Sequence, residues 1–126
     1  FPNHRLVRDG PYIGAKFLEL VADRPATEVV EPYQAYHNER INLTYDAERE
    51  RQALLEAATE YAEGVDAAGE AEVTTIDGYR LDYGDAWVLV RPSGTEPKIR
   101  IAAEATIPDR ATELAESVET ALEAAR

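Results

Sequence analysis

Apolar positions in the last two thirds of the chain follow two alternating periods. In "INLTY", Ile41, Leu43 and Tyr45 fall on one side of an extended backbone, predicting a strand over 41–45. The period then lengthens to that of a helix: Leu54, Leu55, Ala58, Tyr61, Ala62 and Val65 make one stripe over roughly 47–64. Asp46 is placed to cap that helix, and Gly64 or Gly69 to end it. "EVTTI" and "YRLDY" read as short strands joined by Asp77-Gly78, a two-residue hairpin signal. "AWVLV" and "KIRIAAEA" are two further strands around the loop "RPSGTEPK". A last helix follows, with Ala111, Leu114, Ala115, Val118, Ala121, Leu122 and Ala125 facing inward and a cap from Thr106 or Asp109.

The first third is different. Residues 10–23 put Ile13, Phe17, Leu20 and Val21 on one helical face, opened by Asp9-Gly10-Pro11 and stopped by Arg24-Pro25. A short helical turn from Thr27 to Pro32 follows, and "PYQAYHNER" reads as a connector. This third holds no strand pattern and cannot build a core by itself. The predicted fold is α+β: a two-layer sandwich with a mostly antiparallel sheet of about four to five strands, two helices on one face, and a detached N-terminal helix. The boundary falls between a tail and linker over 1–38 and a compact domain over 39–126. With no sheet of its own, the helix at 10–23 is expected to be disordered, folded back, or packed on another copy through Ile13, Phe17 and Val21.

Composition narrows the function. A chain of 126 residues with net charge −12 is a poor partner for nucleic acid or anionic lipid, since both select a basic face. No apolar run reaches the roughly 20 residues of a membrane span, and the first residues have no apolar signal core. The chain has no cysteine, so disulfides and thiolate metal sites are absent and a cytoplasmic location is expected. Only Lys16 and Lys98 are lysines among 13 basic residues. Many acids with few lysines suit a protein of molar salt, where the Debye length is about 3 Å and self-repulsion is screened. The chain also has no methionine and opens on Phe1-Pro2, as expected of a piece of a longer protein.

Against that acidity, one loop gathers positive charge. In "RPSGTEPK", Pro92 and Pro97 stiffen the turn, and Ser93, Gly94, Thr95 and Glu96 offer four consecutive backbone N–H groups. A Gly94 with positive φ would fold those amides into an anion-binding concavity, with the Ser93 and Thr95 hydroxyls added. Arg91 supplies a bidentate fork and Lys98 a point charge, and Arg100, two residues on, shares the Lys98 face. A plain hairpin loop would use many of the same residues. Glu96 should point away from a bound anion or hold a basic side chain in place. His4 and His37 have no ligand partner at a useful spacing, and the acidic helix faces read as solvated surface. Trp87 reads as core or edge packing more than as a sugar platform.

"WVLVRPSGTEPKIRIAAEA" resembles the C-terminal phosphate-binding motif of the α-D-phosphohexomutases, the family of phosphomannomutase/phosphoglucomutase and phosphoglucosamine mutase. Asp77-Gly78 and Asp85-Ala86-Trp87 fit the same pattern, and "RDGPYIGAKFLELVAD" resembles the end of the family's third domain. The resemblance implies a four-domain enzyme that interconverts hexose 1-phosphate and 6-phosphate through a phosphoserine and a bisphosphate intermediate. It implies Mg²⁺ held by three aspartates of the second domain, outside this chain, and none bound here. The fourth domain would grip the phosphate that is not reacting, through Arg91, Ser93, Gly94 and Thr95 supported by Lys98 and Arg100. No serine stands in the family's T-x-S-H-N-P-type setting and no D-x-D-x-D loop occurs, so the chain is expected to hold no catalytic residue and to be inactive alone. Its expected partners are the hexose phosphate and the preceding domains of the same protein. The rival reading is a non-catalytic module that senses a small anion or mediates oligomerisation.

Overall fold

A computed structural model describes residues 10–126, in two compact units: one runs through Ala35, the other spans Tyr36–Arg126. Asp9, expected to open the first helix, and His4 lie outside the described residues. In the first unit, α1 (Gly10–Leu20) ends three residues earlier than predicted, and α2 (Ala26–Val30) is followed by a 3₁₀ turn over Glu31–Tyr33. Pro32 sits in the first turn of that 3₁₀ segment, where its missing N–H is not needed. The segment expected to be disordered, folded back or packed on another copy is helical over Gly10–Leu20. It contains no buried residue, and Ile13, Leu18 and Leu20 are exposed.

The second unit is an α+β two-layer sandwich. Its five strands are β1 (His37–Thr44), β2 (Glu72–Thr74), β3 (Tyr79–Asp82), β4 (Ala86–Pro92) and β5 (Lys98–Ala105). They form one antiparallel sheet in the order β1-β5-β4-β3-β2. Two helices, α3 (Glu48–Ala68) and α4 (Pro108–Glu123), cover one face. Helix α4 lies over β1, β5 and β4, and α3 over β2 and β3.

Strand alternation sets the core. Val88 and Val90 of β4, Ile99 and Ile101 of β5, Leu81 of β3 and Leu43 of β1 point to the helices. They meet Leu54, Ala58, Ala62 and Val65 of α3 and Ala111, Leu114, Ala115, Val118 and Leu122 of α4. Fully burying each Leu, Ile or Val contributes about 1.5–3 kcal/mol. Outside the core, Thr59 bridges α3 to Tyr79 of β3 (2.7 Å), and Tyr61 of α3 meets Ser117 of α4 (3.0 Å). Arg126 ties the end of the chain to Glu50, Glu123 and the Thr44 carbonyl.

The structure corrects several expectations. Strand β1 begins at His37, so "HNER" is strand and not connector: its residues pair with Ala105 back to Ala102. The β2–β3 connection is not a two-residue turn, because the last register pair is Thr74 with Arg80 and Thr75–Gly78 lie between the strands. Helix α3 starts one residue later than predicted, with Ala47 as its N-cap and no side-chain cap. Glu50 reaches back instead to accept from the Asp46 N–H (3.0 Å). Gly64 continues the helix, and Gly69, at φ 68°, ends it. Neither Thr106 nor Asp109 caps α4; Ile107 holds that position without a side-chain bond, and Pro108 presets the first turn. Ala125 lies past the end of α4 and is exposed. Among the described residues no helix is long and apolar enough to cross a membrane.

Candidate functional site

The sheet face turned away from the helices carries the charge. Residues alternate with the buried ones, so β4 shows Trp87, Leu89 and Arg91 there, and β5 shows Lys98, Arg100, Ala102 and Glu104. Register places Asn42, Arg100 and Arg91 in one row across β1, β5 and β4, and Arg40, Ala102 and Leu89 in the next. Arg40, Asn42, Leu89, Arg91, Lys98 and Arg100 line a depression of about 500 Å³. Arg40 escaped the sequence reading because "HNER" lacks an apolar alternation, and Asn42 because the reading of "INLTY" followed only the apolar side of that strand. Its polar side chains suit an edge strand whose visible face is open.

The loop between β4 and β5 is a tight hairpin. The Ser93 N–H donates to the Lys98 carbonyl (2.9 Å), and the Lys98 N–H to the Glu96 carbonyl (2.8 Å). The Ser93 amide is therefore committed to the hairpin, and the run of available amides is shorter than the four expected. Among the described residues the N–H groups of Gly94, Thr95 and Glu96 make no hydrogen bond, and Gly94 and Thr95 are exposed. Gly94 does not adopt positive φ; among the described residues Gly69, Gly78 and Gly84 do. The left-handed nest expected at Gly94 is absent, since the register of the short hairpin already closes the turn. A Cβ at Gly94 would meet nothing within 4 Å, so the loop backbone is open to a ligand.

Arg91, Lys98 and Arg100 on this face are each met by a carboxylate. Arg91 Nη1 donates to Asp77 Oδ2 at 2.6 Å. Glu96 Oε2 receives Lys98 Nζ at 3.0 Å and Arg100 Nη2 at 2.8 Å, so it holds two basic side chains at once. Lys98, and after it Arg100, holds the Glu96 carboxyl below its usual range. Arg100 Nη2 also donates to Ser93 Oγ at 3.1 Å, and the buried Arg100 Nε has no partner. The structure thus brings Arg91, Ser93, Lys98 and Arg100 together, with Gly94 and Thr95 at the exposed tip of the loop.

Asp77-Gly78 carries more than a turn. Gly78 has φ 91°, and a Cβ there would lie 2.2 Å from the Val90 carbonyl oxygen and 2.7 Å from Arg91 Cβ. Only glycine fits both constraints, so the connection can press onto β4 where the Arg91 side chain emerges. Trp87 lies outside the core, on the open face. Its ring is covered by the Arg80 guanidinium (5.2 Å), and its Nε1 donates to Glu104 Oε1 (3.2 Å). Arg80 is held in turn by Asp82 at 2.6 Å. Among the described residues no group of three His, Cys, Asp or Glu side chains is placed to hold a metal ion.

The sequence of residues 41–121 matches the family described as phosphoglucomutase/phosphomannomutase, C-terminal domain. The chain belongs to that family. It is 36% identical over 119 residues to a probable phosphoglucosamine mutase of Methanococcoides burtonii, covering 94% of this chain and 26% of that protein. It is 38% identical over 109 residues to a phosphopentomutase of Thermococcus kodakarensis, covering 84% of this chain and 24% of that one. A crystal structure of a phosphoglucomutase/phosphomannomutase family protein from Burkholderia thailandensis matches with a TM-score of 0.67 at 28% identity. That match covers 93% of this chain and 24% of the other. The chain spans about a quarter of the length of the curated relatives it matches.

Proposed function

We propose that the open sheet face of this C-terminal domain is the phosphate clamp of a phosphosugar mutase that interconverts hexose 1-phosphate and 6-phosphate. The observation that carries this reading is the grouping of Arg91, Lys98 and Arg100 beside a loop with three unbonded amides, in a chain of net charge −12. Arg91 offers a planar fork for two phosphate oxygens, and Lys98 a compact charge. Gly94 and Thr95 add backbone donors and one hydroxyl.

The names of the relatives support recognition through phosphate. One is named for glucosamine and another for a pentose, so the sugar differs between them while the phosphate is common. A site that reads phosphate also serves a substrate that must bind in two orientations. The clamp's mechanistic part is remote from the chemistry: it holds the group that does not react. That binding energy is then available to orient the reacting end and to close the site.

In the complete enzyme, Arg91→Ala is expected to lower kcat/KM mainly through weaker substrate binding. An unchanged kcat/KM would remove Arg91 from the clamp. The 126-residue chain alone is expected to show no mutase activity, since no phosphoserine motif and no Asp-rich metal loop occur in it.

A further inference from the structure

Resting on the clamp reading, we propose that Asp77 is the positioning residue of Arg91: it fixes the guanidinium for an incoming phosphate, and Gly78 exists to deliver it there. The contact is direct, Arg91 Nη1 to Asp77 Oδ2 at 2.6 Å. Delivery depends on backbone approach, since any side chain at 78 would strike the Val90 carbonyl oxygen and Arg91 Cβ.

Two observations separate positioning from turn chemistry. Asp77 makes no hydrogen bond to its own turn; its carboxylate meets Arg91 alone. Asp82, at the end of β3, makes both contacts: its Oδ1 accepts from the Gly84 N–H at 2.9 Å, as a turn-forming aspartate does, while its Oδ2 pairs with Arg80. Fold stability does not explain the pair either. Asp77 is 75% exposed, and ion pairs of that kind contribute little.

A guanidinium has five N–H donors in a rigid plane. Asp77 engages one nitrogen and leaves donors for a phosphate, while restricting the torsions that would otherwise be lost on binding. Arg100 is held in the same manner by Ser93 and Glu96. The Asp77 charge opposes a phosphate, but at this exposure water and salt screen it. The orienting contact therefore dominates.

The test measures affinity of the 126-residue chain for inorganic phosphate and for glucose 1-phosphate, together with ¹⁵N relaxation of the Arg91 Nε–H group without ligand. Asp77→Ala is expected to weaken binding about three- to tenfold, the effect of freeing one long side chain, and to raise Arg91 mobility. Asp77→Asn keeps an acceptor oxygen and is expected to bind within about twofold of the parent, because a neutral acceptor still orients the fork. Unchanged or tighter binding in Asp77→Ala overturns the proposal. So does equal weakening in both variants, which would make charge the cause, or an Arg91 that is no more mobile. Failure of the clamp itself looks different: the parent chain would bind no phosphate and Arg91→Ala would alter nothing.

Discussion

Arg91 and Arg100 stand directly opposite one another on β4 and β5, both on the sheet face turned away from α3 and α4. Like charges in that relationship destabilise a sheet. Here they are offset by Asp77 on one side and Glu96 on the other. A domain under selection for stability alone has no use for this arrangement. A dianion between the two guanidiniums would meet both.

A separation of binding from stability follows. Arg91→Gln and Arg100→Gln each remove one of two repelling charges together with one exposed ion pair, so each is expected to change unfolding free energy by no more than about 0.5 kcal/mol. Each should weaken phosphate binding about ten- to hundredfold, the effect of losing hydrogen bonds to a charged group. Urea unfolding and calorimetric titration on the same samples check both halves.

Gly78 gives the opposite signature. Gly78→Ala forces a Cβ against backbone and places alanine at φ 91°. The conformational strain alone is about 1–3 kcal/mol, and the overlap with the Val90 carbonyl oxygen adds to it. The variant is expected to unfold at clearly lower urea. By contrast Gly94→Ala, where the added Cβ meets nothing and φ is ordinary, should be within about 0.5 kcal/mol of the parent.

Acid should reveal Glu96. Its folded pKa lies below the ordinary value of 4.5 because Lys98 and Arg100 favour the charged carboxylate. Its contribution is therefore present above about pH 4.5 and is lost as pH falls through the lower, folded value. The stability difference between parent and Glu96→Gln should be visible at neutral pH and shrink toward zero in strong acid. A difference constant with pH would show that the carboxylate charge plays no part.

Base should reveal Tyr83. Burial, with Tyr61 beside it, pushes its phenol up to about 12 from 10.0. The folded chain keeps that proton where the unfolded chain has lost it, so stability falls as pH rises from 10.0 toward about 12. Tyr83→Phe should flatten that decline in chemical unfolding.

How far the sequence foretells this molecule depends on which face a residue occupies. Leu54, Ala58, Ala62 and Val65, and likewise Leu114, Val118 and Leu122, follow the helical period and are buried where the period puts them. The open face has no comparable period, because its residues answer to charge and not to a core. Arg40 stayed hidden for that reason. Asp77-Gly78 was visible as a turn, but its contact with Arg91 joins residues 14 apart in sequence across two strands, and no local pattern encodes it. Gly94 misled in the other direction: glycine permits positive φ without requiring it. Trp87 read as core or edge packing; strand alternation sends its neighbours Ala86 and Val88 into the core and Trp87 to the open face.

The most direct test is a titration of the ¹⁵N-labelled 126-residue chain with glucose 1-phosphate, using glucose as control. Amide and arginine side-chain shifts are expected to concentrate at Arg91, Gly94, Thr95, Glu96, Lys98 and Arg100, with α3 and α4 quiet and glucose without effect. Shifts of equal size with glucose, or a loop that stays silent at saturating sugar phosphate, would contradict the assignment of this face as a phosphate clamp.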